Sequence, residues 1–225
     1  MLPMLVQLLL LGSLMLSMPR MPLGALENIL LLLTTGLIWL ITTAVMGVNW
    51  HRFALLNQPQ GFVPHLPAGP LAAYIVTALK IGLLAFAAAA PLGYILVAIA
   101  SLTNAISGAM AVAALIGIAI ALLMLRLSVA LPGAAVQVEK PLTTAWTATR
   151  GITGTLLALA FFLFVLQFLG EQTLRLIGYL LLNISPDSIP LLVIVAAVGA
   201  WIFTLLSLSI CTTLYGHYVE GRDLR

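Results

Sequence analysis

The sequence predicts an all-α bundle of about six membrane-spanning helices, and three observations support this. The chain is 63% hydrophobic and only 7% charged, with a mean hydropathy of +1.20, whereas a soluble domain has roughly 25% charged residues. The apolar residues gather in runs close to the roughly 20 residues that a transmembrane helix needs. The positive charges fall almost entirely in alternate connections between these runs. So few charges cannot cover a water-facing surface, and we expect a single transmembrane domain over residues 1–225.

Apolar runs delimit the predicted spans. The first run is short, has no Lys or Arg before it and has no A-x-A site after it, which disfavours a cleaved signal peptide. It is either a thin span or a helix that lies in the membrane interface. Two long connections, residues 49–70 and 126–150, are predicted to be cytoplasmic loops. The six spans are predicted near residues 1–19, 26–48, 71–100, 105–125, 151–169 and 191–215.

The distribution of cations predicts the orientation, because Lys and Arg are retained on the cytoplasmic face during insertion. Only Arg20 and Arg175 fall on the cation-poor side, and Lys80 lies inside the third run. The cation-rich side carries Arg52, Arg126, Lys140, Arg150, Arg222 and Arg225. We therefore predict a multi-pass protein of the bacterial inner (cytoplasmic) membrane with its C-terminus in the cytoplasm.

The net charge of +3 reflects these connections rather than a surface for nucleic acid. Such a surface requires Lys and Arg clustered with polar or aromatic groups outside the bilayer, and the sequence has no such cluster. We expect no nucleic-acid partner. The expected partners are membrane lipids, together with other membrane-protein subunits or further copies of this chain.

Motifs for catalysis or cofactor binding are missing from the sequence. It contains no G-x-S-x-G and no H-E-x-x-H pattern. All six acidic residues lie at the ends of runs or in connections, which disfavours an ion-coupled carrier. The spacing of His51, His65 and His217 matches no metal motif. The sequence therefore predicts a non-enzymatic protein without a cofactor or a metal.

Cationic and aromatic side chains at the cytoplasmic ends of the runs are candidates for contact with lipid head groups. Arg beside Trp at this depth suits the role because basic pockets between helices attract head groups, although the same residues also serve to anchor topology. Lys80 either lines a cavity or extends its stem back to the interface. The candidates are Trp50, His51, Arg52, Lys80, Arg126, Trp146 and Arg150.

Small residues recur at every fourth position in the third and fourth runs. Within lipid there is little hydrophobic force between helices, so close approach through small residues supplies the packing. The short connection between the two runs predicts an antiparallel hairpin. We therefore predict that its helices meet along Ala85, Ala89, Gly93, Ala105, Ala109, Ala113, Gly117 and Ala121.

Three cytoplasmic blocks carry a resemblance to a known group. Residues 126–151 read RLSVALPGAAVQVEKPLTTAWTATRG, with the patterns R-x-S-x-x-L-P and A-W-x-x-T-R-G, and two further blocks read VNWHRFALL and YGHYVEGRDL. This resembles a family of uncharacterised, alphaproteobacterial-like, six-span inner-membrane proteins related to the membrane domain of some glycerophosphodiester phosphodiesterases. The resemblance implies a six-span fold and this compartment, but no phosphodiesterase activity, because that domain is not in the sequence. It marks Arg126, Leu131, Pro132, Trp146, Thr149, Arg150 and Gly151.

Two functions fit these observations. The first is an accessory or scaffold subunit of a larger membrane complex, favoured by the scarcity of buried ionisable groups and by the small-residue faces. The second is a binder or transporter of lipid or another amphiphile that uses the cationic cytoplasmic rim. The second function requires a polar or water-accessible cavity that reaches Lys80.

Overall fold

A computed structural model confirms the all-α prediction, because about 90% of the protein is helical and the described part has no strand. The structure describes residues 2–17, 25–59, 61, 64, 67–103, 106–185 and 188–223. The α-helices are α1 (Leu2–Ser17), α2 (Ala25–Leu56), α3 (Ala68–Thr103), α4 (Ile106–Ser128), α5 (Ala130–Ala135), α6 (Pro141–Ala148), α7 (Thr153–Ile184) and α8 (Ile189–Tyr218).

Five described segments are long and apolar enough to cross a membrane, which marks a multi-pass membrane protein. In the most apolar window of each segment only 6% to 22% of the residues are buried, so most side chains face outwards, as lipid contact requires. The segments are Ile29–Leu56, Ala68–Ala98, Leu115–Ala135, Arg150–Ile184 and Ile189–Tyr218.

The predicted sixth span, residues 1–19, is not among these segments. Its helix α1 has 16 residues, which is about 24 Å at 1.5 Å per residue. The hydrocarbon core of a bilayer is about 30 Å thick. Six spans are therefore not confirmed, because α1 is shorter than the core is thick.

Two helices run beyond the ends of the apolar runs, which corrects two predicted boundaries. The predicted loop 49–70 starts too early, since α2 continues to Leu56 and ends where Asn57 adopts a left-handed φ of 52°. The predicted span 151–169 stops too early, since α7 continues to Ile184. Polar residues mark where a helix leaves the bilayer. The helix itself can continue through them, because Glu and Arg are good helix formers.

The predicted cytoplasmic loop 126–150 is not an exposed loop, because it contains α5, which is almost wholly buried. Val129, Ala130 and Ala135 are fully buried, and Ala134 is 1% exposed. Helices α2, α3 and α8 all pack against α5. The short side chains of its sequence ALPGAA let three helices approach its backbone.

The buried core of the bundle surrounds α5 at one end. We call this the basic end, because Arg52 bonds to α5, Arg126 lies over Trp146 of α6, and Arg222 bonds to the end of α2. The core consists of two clusters, Leu55, Ile81, Leu127, Val129, Ala130, Ala145, Leu156, Leu214 and Tyr215 in one, and Ala44, Val48, Tyr74 and Ala135 in the other.

Helices α2 and α3, which meet at the basic end, are both longer than the hydrocarbon core is thick. With 32 and 36 residues, α2 and α3 are about 48 and 54 Å long, against a core of about 30 Å. The surplus turns at the basic end carry His51, Leu55, Tyr74 and Thr77, which are all buried. The protein therefore combines a loosely packed, lipid-facing region with a densely packed end.

We predict that Gly47→Ala destabilises the protein by about 1–3 kcal/mol, the usual cost of overpacking. A Cβ at position 47 would overlap the hydroxyl and the ring of Tyr74, which lies buried between α2 and α3. Thermal unfolding in detergent measures the effect. Gly36→Ala in the same helix is the control, because a Cβ there meets no atom within 4 Å. Equal unfolding temperatures for the two variants would contradict the prediction.

Candidate functional site

The connection between α5 and α6 positions the charged residues of the site. The Gln137 N–H donates to the Ala134 carbonyl (3.1 Å) and the Val138 N–H donates to the Gly133 carbonyl (2.9 Å). With φ at 63°, Gln137 takes the left-handed position that glycine usually occupies in this helix cap. The chain then runs through Glu139 and Lys140 into α6, which has Pro141 in its first turn, where the missing N–H of proline costs nothing.

A cavity of about 360 Å³ lies between α3 and this connection. Lys80, which is exposed, lines this cavity, and the cavity opens to the surface of the protein. Its walls combine two lysines, one carboxylate and two hydroxyls with apolar groups. The lining residues are Ala73, Val76, Thr77 and Lys80 of α3, with Ala134, Val138, Glu139, Lys140, Pro141, Leu142 and Thr143 facing them.

The cavity lies far along α3 from the hairpin turn that joins α3 to α4. Lys80 precedes the end of α3 at Thr103 by about 23 residues, or about 34 Å. Arg126 follows the start of α4 at Ile106 by about 20 residues, or about 30 Å. Because only residues 104 and 105 separate these helices, both cations lie about one core thickness from the hairpin turn. Along its helix, Lys80 is therefore about as far from the hairpin turn as Arg126 is along α4.

Arg126 and Trp146 meet at the junction of α4, α6 and α7. The Arg126 guanidinium lies 5.0 Å from the centre of the Trp146 ring, and its Nη2 donates to the Thr153 hydroxyl at 2.6 Å. Its Nε is buried and has no hydrogen-bond partner in the described part of the chain. Arg150 is exposed in the adjoining 3-10 turn. The structure therefore brings three of the predicted head-group residues together.

Arg52 and Trp50 serve the packing of the basic end. The Nε of Arg52 donates to Gln58 Oε1 (3.0 Å), and Nη1 donates to the Ala135 carbonyl (3.1 Å), so the guanidinium ties α2 to α5. Trp50 is half-buried, with its ring centre 6.4 Å from that of Phe53. Arg52 consequently has fewer donors left for a head group than the sequence suggested.

His51 is fully buried, which argues against the predicted contact with head groups. The Thr212 hydroxyl lies 2.7 Å from His51 Nδ1 and donates its hydrogen to the Leu208 carbonyl at 2.6 Å. Nδ1 must therefore carry the hydrogen and donate to Thr212, because a hydroxyl has one hydrogen to give. The other ring nitrogen, Nε2, is buried and has no hydrogen-bond partner among the described residues. The centres of the His51 and Tyr74 rings lie 5.7 Å apart.

The small-residue stripe is only partly described. Helices α3 and α4 do pack against each other. However, a Cβ at Gly93 or Gly117 would meet no atom within 4 Å, so the helices do not approach closely there. Ala85, Ala89 and Ala113 are half-buried, and Ala121 is exposed. Ala105 and the side chain of Ala109 lie outside the described residues, as does His65.

Sequence reasoning missed a polar cluster that joins α1 to the bundle. Gln7 is 1% exposed. Its amide nitrogen donates to the hydroxyls of Thr42 (2.9 Å) and Thr43 (3.0 Å), and its carbonyl accepts from Trp201 Nε1 (3.2 Å). A single glutamine in a run of leucines was the available signal. Glu139 and Lys140 were also missed as site residues, because their proximity to Lys80 is tertiary.

No family model, curated protein or solved structure matches this chain in the comparisons made with known proteins. The functional conclusion accordingly depends on the residues of the site and their geometry.

Replacing Gln7 with Leu should lower the free energy of unfolding by about 2 kcal/mol, because hydrogen bonds between helices in membranes average about 0.6 kcal/mol each and three are lost. Denaturant titration in mixed micelles measures the change. Leu9→Met is the control, since Leu9 is 72% exposed on the same helix. A Gln7→Leu protein as stable as this control would contradict the role given to the cluster.

For Thr212→Val we expect a loss of about 1–3 kcal/mol, because the variant leaves the His51 N–H buried without an acceptor. Thermal unfolding in detergent measures this loss of stability. Thr204→Val provides the matched comparison, since the Thr204 hydroxyl bonds only to a carbonyl of its own helix. If both variants lose the same stability, the bond between α2 and α8 contributes nothing specific.

Proposed function

We propose that this chain is a non-enzymatic inner-membrane protein that binds the head group of a phospholipid or similar amphiphile at its basic end. The observation that supports this most strongly is the cavity that contains Lys80. It combines the cations Lys80 and Lys140, which suit a phosphate, with the apolar side chains of Val76 and Leu142. Basic pockets at interface depth attract head groups in this way.

The cavity is suited to an amphiphile because an apolar surface continues from it. Val76, Lys80 and Leu83 follow one another at helical spacings of four and three residues on one side of α3. Val76 is 48% exposed and Leu83 is 69% exposed. From Lys80, the helix continues through Leu83 towards the hydrocarbon core. An acyl chain on this surface would leave its phosphate beside Lys80.

The proposal orients the basic end towards the cytoplasm, in keeping with the retention of Lys and Arg on that face. It also treats α1 as a sixth, thin span, which puts both termini in the cytoplasm. The bonds from Gln7 to α2 and α8 favour this reading, because they hold α1 against two long apolar helices. The family suggested by residues 126–151 has the same architecture and belongs to the same proposal.

We describe the protein as non-enzymatic because two of its most deeply buried polar side chains, Gln7 and His51, bond within the bundle and do not line the cavity. Gln7 is bonded to three side chains, and His51 of α2 donates to Thr212 of α8. The groups that do line the cavity are two lysines, Glu139 and two threonines. These suit the recognition of charge.

A second candidate is the accessory or scaffold subunit. It is favoured by the open faces at Gly82, Gly93 and Gly117, where a Cβ would meet no atom of this chain within 4 Å. Helices from another subunit can approach such faces closely. Under this hypothesis the lipid-facing surface is covered by protein in the native membrane.

Purification of the tagged protein from native membranes in mild detergent, with mass spectrometry of proteins and lipids, separates the two functions. We expect an enriched phospholipid, reduced about fivefold by Lys80→Gln, since one basic residue near the surface contributes about 1 kcal/mol. Arg175→Gln, in the half of α7 far from the basic end, is the control. A defined set of subunits in fixed ratio, with lipid unaffected by Lys80→Gln, would instead identify an accessory subunit.

A further inference from the structure

We infer that the cavity recognises a head group with both a phosphate and a primary ammonium, as in phosphatidylethanolamine. This inference rests on the proposed function and specifies its ligand. Three charges line the cavity, namely Lys80, Lys140 and Glu139. A purely anionic head group would neutralise the lysines but would be repelled by the carboxylate. A zwitterion can pair its phosphate with a lysine and its ammonium with the carboxylate, so that charges of both signs find a partner.

The charged groups of the cavity are not paired with each other. Although Glu139 lines the same cavity as two lysines, no ion pair joins it to either, and these three side chains form no hydrogen bond within the part of the chain that the structure describes. By contrast, Arg52, Arg126 and Arg222 at the same end all bond to protein groups. Unpaired charges of both signs on one cavity are what a zwitterionic ligand requires, because each pole finds its own partner.

Thr77 supplies a built polar contact inside the cavity. Its side chain is only 5% exposed, yet it lines the cavity and its hydroxyl has no hydrogen-bond partner among the described residues. Threonine in a helix commonly bonds back to a carbonyl of the preceding turn, as Thr204 and Thr212 do. A hydroxyl left free beside Lys80, one turn along α3, is positioned to donate to a phosphate oxygen.

The two poles have partners on opposite walls. Lys80 and Thr77 belong to α3, whereas Glu139 belongs to the connection between α5 and α6. A phosphate at the α3 wall therefore directs the ammonium across the cavity towards Glu139. The volume of about 360 Å³ is at the low end for small-molecule sites, so it suits a head group, while acyl chains extend along α3 outside it.

The experiment measures lipid retention by native mass spectrometry of the purified full chain released from nanodiscs. The discs contain equal amounts of phosphatidylethanolamine, phosphatidylglycerol and phosphatidylcholine. The wild type should retain phosphatidylethanolamine in preference to the other two. Glu139→Gln should reduce this preference about two- to fivefold, the range expected for one exposed ion pair. Glu139→Lys should reverse it in favour of phosphatidylglycerol.

Glu171→Gln, an acid at a distance from the cavity on α7, is the matched control and should leave the preference unchanged. Retention of phospholipid with the same preference in the wild type and Glu139→Gln would overturn this inference while leaving the proposed function intact. Retention of no phospholipid by the wild type would overturn both. Because Glu139 is exposed, unfolding temperatures of the variants should match that of the wild type and exclude misfolding.

A second arm of the experiment distinguishes a lipid from a soluble phosphoamine. Phosphoethanolamine is added to the nanodiscs at the same concentration as phosphatidylethanolamine. Undiminished lipid retention supports a membrane lipid as the source of the head group. Displacement of the lipid at equal concentration would overturn the lipid assignment and identify the soluble phosphoamine as the ligand.

Discussion

The close packing of α5 among α2, α3 and α8 is the interaction on which the rest of the structure depends. Within lipid, apolar side chains gain little from contact with each other, and most of them remain exposed in this protein. Apart from Gln7, the largest fully buried side chains instead gather at the basic end, around the small side chains of Ala130, Ala134 and Ala135. Helices that would otherwise be free to slide in the bilayer are held in register there.

The site is a product of the same packing. Because α5 is fixed by three helices, its capped end at Gln137 directs Glu139 and Lys140 towards α3. Pro141 then starts α6, which carries Trp146 to Arg126 on the other side. A single short segment thus organises both the cavity and the Arg–Trp pair. The cationic rim is therefore an ordered surface, in which some cations support the fold and others remain available.

Composition and charge predict the helices and part of the cationic rim. The apolar runs predict the helices, and Arg126, Trp146 and Arg150 are predicted together because each lies beside the end of a run. The burial of α5 is not predictable in this way, because ALPGAA is too short to show a helical period and has a single large apolar residue, Leu131, to signal a core. His51 shows the same limit, since the sequence Trp-His-Arg is typical of an interface, whereas its burial depends on Thr212, far along the chain.

The place of α8 in the core has a consequence for how the chain is made. The surroundings of α5 include Leu214 and Tyr215, and the partner of the His51 N–H is Thr212, all of which lie on α8 and are synthesised after α2 and α5. Until α8 has been inserted, α5 is uncovered on one side and His51 lacks its acceptor. The basic end therefore closes only when α8 reaches its place, and the helices made before α8 expose this surface until then.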